Sequence, residues 1–169
     1  MSIIAKKLVY LSISFFIIII LNYINVHSFE EKPMLIGKFN WNEWLAKTEW
    51  DNTEFLKYNP SHNKIETLKT LISEKQCSFL IFGGSWCGDT KSELPKIFKI
   101  FTLCELELDK IPIIGVDRQK LEPSGFSLNY KIERVPTLIV LSDNQEIGRI
   151  TEFPNTTWED DLIEILEQK

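Results

Sequence analysis

Cys87 is the residue whose setting invites chemistry. It lies in Gly83-Gly84-Ser85-Trp86-Cys87-Gly88-Asp89-Thr90, directly after the apolar run Phe79-Leu80-Ile81-Phe82. The run predicts a short strand buried on both faces, and the stretch after Cys87 predicts a helix. The turn between them puts the cysteine at a helix N-terminus, where unpaired amide N–H groups and the positive end of the helix dipole favour a thiolate. Only the thiolate is nucleophilic, so this placement activates the sulfur. Gly83 and Gly84 permit a tight backbone approach. The bland alternative is an inert core cysteine. A dithiol site is written C-x-x-C, and here the fourth position is Thr90. Its hydroxyl lies about one turn along on the same face. It can hydrogen-bond the sulfur but cannot attack a mixed disulfide. Asp89 places negative charge in the first turn, which opposes thiolate formation and favours the helix itself.

Two other cysteines, Cys77 and Cys104, could resolve a mixed disulfide only if they came close. Cys77 starts the strand that ends at the turn, and Cys104 ends the helix that begins there. At about 1.5 Å per residue the helix is roughly 25 Å long. Both thiols are therefore expected at the far pole, beyond the roughly 7 Å between Cα atoms that a disulfide requires. They would share that pole, which leaves a Cys77–Cys104 bridge as one reading and two buried core cysteines as the other.

The elements that must position Cys87 alternate regularly. Trp41, Trp44, Leu45 and Thr48 recur at helical spacing, and Asn40 is placed to cap that helix. Trp50, Phe55 and Tyr58 follow; this aromatic excess reads as a cover for one edge of the core, or else as a partner-binding patch. From Ser61 a helix runs to about Lys75, with Ile65, Leu68, Leu71 and Ile72 on one face. A strand over 78–82, a helix carrying Leu94, Ile97, Phe98 and Phe101, and a strand over 111–116 follow. Strands over 135–141 and 145–151, joined by Ser142-Asp143-Asn144, predict a hairpin. A last helix covers 157–167. The order predicts an α/β fold with a central mixed sheet, a parallel βαβ unit followed by ββα.

The chain has 169 residues. Its first 28 divide into a charged start with Lys6 and Lys7, an apolar stretch from Leu8 to Leu21, and a small-residue exit at Val26-His27-Ser28. This is a signal peptide or a membrane anchor over residues 8–24. Residues 29–59 read as a linker, over 29–39, followed by an aromatic helical extension; residues 60–169 form the domain. Either leader exports the folded part, to a periplasm or the outer face of a membrane, where thiols tend to pair. The net charge of −5 becomes −7 without Lys6 and Lys7. Such a chain has no electrostatic footprint for nucleic acid. His62 stands alone in a polar turn, so no metal site is expected. Lys91 and Glu93 read as a solvated face, Asp117 and Arg118 as a surface ion pair or a substrate contact. Asn155-Thr156-Thr157 is a glycosylation sequon or simply a helix cap.

Trp86-Cys87-Gly88-Asp89 after a buried strand, with Arg134-Val135-Pro136-Thr137 before a hairpin, resembles the thioredoxin superfamily. The resemblance covers about residues 60–168 and implies a thioredoxin-like fold. It implies a cis Pro136 packed against Cys87, and a Val135 backbone turned outward to pair with an extended substrate. It implies that Trp86 flanks the sulfur. Thr90 and Asp89 depart from the family's second cysteine and common proline, and Ile81 replaces its buried acid. The resemblance therefore implies thiol–disulfide exchange through Cys87 alone, with Thr90 assisting and Trp86, Val135 and Pro136 holding substrate. Partners would be protein or small-molecule disulfides and an external reducing thiol, with no cofactor. A redox-inactive binding module using the same groove is the other reading. Peroxidase chemistry is disfavoured, since Gly84 stands where that site needs a threonine.

Overall fold

The structure is a computed structural model that describes residues 13–19 and 33–168. Residues 13–19 are helical and exposed, and belong to a unit separate from residues 34–169. Among the described residues no helix is long and apolar enough to cross a membrane. The proposed exit at Val26-His27-Ser28 lies outside the described residues.

Five strands form one sheet: β1 (Gly37–Phe39), β2 (Ser78–Gly83), β3 (Ile113–Gly115), β4 (Thr137–Ser142) and β5 (Gln145–Thr151), in the order β1-β3-β2-β4-β5. β2 and β3 are parallel, with Ile81 beside Ile113 and Gly83 beside Gly115. β4 runs antiparallel to β2, Phe82 beside Thr137 and Ser78 beside Leu141. β5 returns antiparallel to β4. The helices are α1 (Trp41–Thr48), α2 (Thr53–Lys57), α3 (His62–Lys75), α4 (Gly88–Leu103), α5 (Phe126–Asn129) and α6 (Trp158–Glu167). This mixed α/β arrangement fits a thioredoxin-like fold.

Local chemistry explains the boundaries. Asn40 caps α1 through a capping box: its side chain accepts from Glu43 N–H while Glu43 Oε2 accepts from Asn40 N–H. Thr157 caps α6 in the same sense, accepting from Asp160 N–H. Asp143 and Asn144, with φ of 50° and 61°, are the two left-handed residues of the β4–β5 turn. That backbone matches the twist of a two-residue hairpin, and short Asx side chains tolerate it.

The alternation along β2 divides the core. Phe79 and Ile81 join one apolar cluster with residues from α1, α3, α4 and α6, including Trp44, Leu68, Phe98 and Trp158. Leu80 and Phe82 join a second cluster with Ile114, Val116, Ile132, Val135 and Ile139, against which Trp86 and Cys87 pack. The sequence reading of β2 as buried on both faces therefore holds.

From residue 34 on, the region read as a linker and extension contributes to the sheet and core. Gly37–Phe39 is an edge strand, antiparallel to β3, where the sequence suggested a linker. Three residues are too few to show a period-2 pattern; the open edge of β3 specifies the strand. Trp41 stacks on Phe98 with centroids 4.3 Å apart. Trp44 is fully buried, and its ring contacts the site a Gly83 side chain would take. These tryptophans cover the core edge rather than forming a free patch. Trp44→Ala is expected to lower unfolding stability by about 3–5 kcal/mol, the usual cost of emptying a buried tryptophan site, measured by urea denaturation.

Candidate functional site

Strand polarity assembles the site. β2 delivers its last residue, Gly83, at the end of the sheet where β4 begins, so the turn after β2 meets the loop before β4. In that turn Cys87 N–H donates to Gly84 O at 2.9 Å, and Cys87 O accepts from Lys91 N–H at 3.1 Å. Cys87 is thus the N-cap of α4, with extended backbone (φ −95°, ψ 125°). A side chain at Gly84 would lie 2.7 Å from the Trp86 ring, so only glycine fits there.

The thiol of Cys87 is half-buried and donates to the Val135 carbonyl at 3.4 Å. The Val135–Pro136 peptide is cis. Both residues are buried, and Pro136 O accepts from Glu152 N–H at 2.7 Å. The structure therefore brings together Trp86, Cys87, Val135 and Pro136, which lie 48 positions apart from Cys87 to Val135 in the chain. The Val135 carbonyl, which the resemblance would offer to a substrate, is engaged by the thiol itself. Trp86 is half-exposed, its Nε1–H bonded to Val116 O at 2.9 Å, which fixes the ring plane beside the cysteine.

Two site expectations change. Thr90 is fully buried, and its Oγ1 accepts from Gly84 N–H at 3.2 Å. Its hydroxyl braces the turn instead of bonding the sulfur, because the tight Gly83-Gly84 bend aims a buried amide at it. Glu93 is not on a solvated face. It is 5 % exposed and accepts from Trp158 Nε1–H at 2.9 Å and from Lys96 Nζ at 2.6 Å. Trp158, 65 positions on, is what draws it inward. Asp89 lies half-exposed in the first turn of α4 as expected, and Lys91 is exposed. Asp117 accepts from Leu121 N–H at 2.8 Å, closing the turn after β3.

Cys77 and Cys104 lie at the opposite pole. Cys77 precedes Ser78, which pairs with Leu141 at the far end of β4. Cys104 caps the C-terminal end of α4. All three cysteines are free, so the bridge left open by their shared pole is not formed. Burial pushes both of these thiols up, Cys104 to about 11. Among the described residues no group of histidine, cysteine and carboxylate side chains could hold a metal. Sequence reasoning missed the partners of the turn: Val116 O, and Ser85 Oγ, which accepts from Leu35 N–H at 2.9 Å. Neither has a sequence signal, since one is a backbone atom and the other pairs residues 50 positions apart.

No protein-family model matches the sequence, and neither does any curated protein. Several solved structures are similar to it. A Fasciola hepatica thioredoxin is 22% identical, with a TM-score of 0.34, 50% of this chain and 77% of that one being covered. A Halobacterium salinarum thioredoxin mutant is 22% identical, with a TM-score of 0.36 and coverage of 59% and 80%. A Pseudomonas aeruginosa protein of unknown function is 15% identical, with a TM-score of 0.37 and coverage of 76% and 95%.

Two predictions come from this geometry. Thr90→Val removes the acceptor of a buried amide and should cost about 1–3 kcal/mol of stability, read by chemical denaturation. Cys104, raised by burial from 9.0 to about 11, holds its proton in the native state longer than in the unfolded one. Its contribution is therefore complete below pH 9 and is lost as pH rises towards about 11. Stability should fall over that window, and less steeply in Cys104→Ala, measured by denaturant midpoints at successive pH values.

Proposed function

We propose that this chain is an exported thiol–disulfide exchange protein that works through Cys87 alone. The observation that carries the reading is the half-exposed thiol at the N-terminus of α4, hydrogen-bonded to Val135 O beside the cis Val135–Pro136 peptide. A helix N-terminus, with its unpaired amides, is a setting in which cysteines act as nucleophiles.

The reaction balances without a cofactor. The Cys87 thiolate attacks one sulfur of a substrate disulfide. An S–S bond forms between Cys87 and that sulfur, the original S–S bond breaks, and the second sulfur leaves as a thiolate. An external thiol then attacks the mixed disulfide and restores Cys87. A resolving thiol within the chain is not part of the scheme, because Thr90 occupies the position one turn along and Cys77 and Cys104 sit at the other pole. Trp86 and the Val135-Pro136 segment would hold the substrate. Thr90 supports the turn that presents the sulfur, and Asp89 sets the charge of the first turn. Export rests on the leader sequence, through a signal peptide or an anchor over residues 8–24.

The buried, non-nucleophilic Thr90 also favours a second reading: a redox-inactive module that binds clients in the same groove without turnover.

Incubation of the protein with excess hydroxyethyl disulfide at pH 8, followed by mass spectrometry, separates them. Exchange predicts one adduct, mapped to Cys87, removed by added thiol and absent in Cys87→Ser. No adduct on the wild-type protein would overturn the exchange reading and leave the binding module.

A further inference from the structure

The turn that presents Cys87 is tied down at both of its central residues. Gly84 O accepts from Cys87 N–H at 2.9 Å, which makes Ser85 and Trp86 the middle pair of a β-turn. Their side chains carry the ties. Trp86 Nε1–H donates to Val116 O at 2.9 Å. Ser85 Oγ accepts from Leu35 N–H at 2.9 Å. That is the one hydrogen bond Ser85 makes among the described residues.

Leu35 reaches Ser85 from a strap, residues 34–36, that touches both the turn after β2 and the end of β3. Leu35 O occupies the space a side chain at Gly115 would need, and the Leu35 side chain packs against the main apolar cluster. Gly37 then takes a φ of 111°, which glycine alone adopts without strain, and leads the strap into β1 opposite Gly115. A Cβ at Gly37 would meet nothing within 4 Å, so the demand there is on the backbone and not on space. The strap is therefore fixed on three sides: by a core contact, by a close backbone approach and by a strand pairing. It is anchored well enough to brace the turn it touches.

We infer that Ser85 is a positioning residue for Cys87, and that the strap acts on the sulfur through it. Leu35 holds one central residue of the turn as Val116 holds the other. The thiol two residues on from Ser85 thus keeps one direction, beside Val135 and Pro136. Freed of the strap, the turn would spread the sulfur over directions of which few meet a disulfide in line. This inference rests on the exchange reading above.

The test uses the full chain as wild type, Ser85→Ala and Ser85→Thr at pH 8. Two rates are measured at Cys87 by mass spectrometry: mixed-disulfide formation with hydroxyethyl disulfide, and alkylation by iodoacetamide. Ser85→Ala should slow both about three- to tenfold, while Ser85→Thr, which keeps the acceptor, should stay within about twofold of wild type. Alkylation of Cys77 and Cys104, at the opposite pole, should be unchanged in both variants. Wild-type rates at Cys87 in Ser85→Ala overturn the inference. So does a Ser85→Thr protein as slow as Ser85→Ala, because the acceptor would then not be what matters. A change shared by all three cysteines also overturns it, since a residue that only supports the fold would expose every thiol. A wild-type protein that is alkylated at Cys87 yet forms no mixed disulfide overturns the exchange reading instead, and the alkylation rates still judge Ser85.

Discussion

Strand β2 runs antiparallel to β4, Phe82 beside Thr137, and this pairing decides which residues can meet. It lays the end of one strand against the beginning of the next, so the turn that carries Cys87 abuts the segment that carries Val135. The thiol-to-carbonyl bond across that gap follows from register rather than from any local preference of either segment. The same pairing sets Ser78 beside Leu141 and so removes Cys77 to the far pole. Helix α4, 16 residues or about 24 Å long, removes Cys104 in the same direction. One geometric fact thus gives both a presented sulfur and its isolation from other thiols.

Around that sulfur the turn is over-determined. Gly84 gives its amide to Thr90 and its open space to the Trp86 ring; Trp86 is tied to Val116 O, and Val116 N–H returns to Gly83 O at 3.0 Å. The parallel neighbour β3 therefore holds the aromatic wall, while α4 holds the base of the turn. The extension adds a third support. Leu35 N–H bonds Ser85 Oγ, and Leu35 O occupies the space a Gly115 side chain would need. A site on a turn gains its rigidity from neighbours of this kind, since an unsupported loop would spread the sulfur over many positions.

Where periodicity and turn chemistry act locally, the sequence was legible. The spacing of Trp41, Trp44 and Thr48, the cap at Asn40, the apolar run of β2 and the Asp143-Asn144 turn each predicted the element found. The pairing of Cys87 with the Val135-Pro136 segment was legible through family resemblance, not through spacing. Short elements escaped: β1 has three residues and α5 four, below the length at which a period can show. Long-range partners escaped too. Glu93 alone reads as a surface charge, and Thr90 alone as a companion of the sulfur. Only the folded chain puts Trp158 against one and the Gly84 amide against the other.

Glu93 is one of three buried acids among the described residues. Glu93 is satisfied by Trp158 and Lys96, Glu159 by Tyr58 Oη–H at 2.7 Å and Ser61 N–H at 3.3 Å, and Asp161 by the amides of Asn155 and Thr156. Each is at most 6 % exposed. Burying a carboxylate is costly unless donors surround it, and here each has at least two. Burial, and then the carboxylate of Glu159, raise the Tyr58 hydroxyl, which keeps it a donor. The Glu93 and Glu159 contacts fasten the start of α6 to α4 and to the segment between α2 and α3, and Asp161 ties α6 to the turn before it.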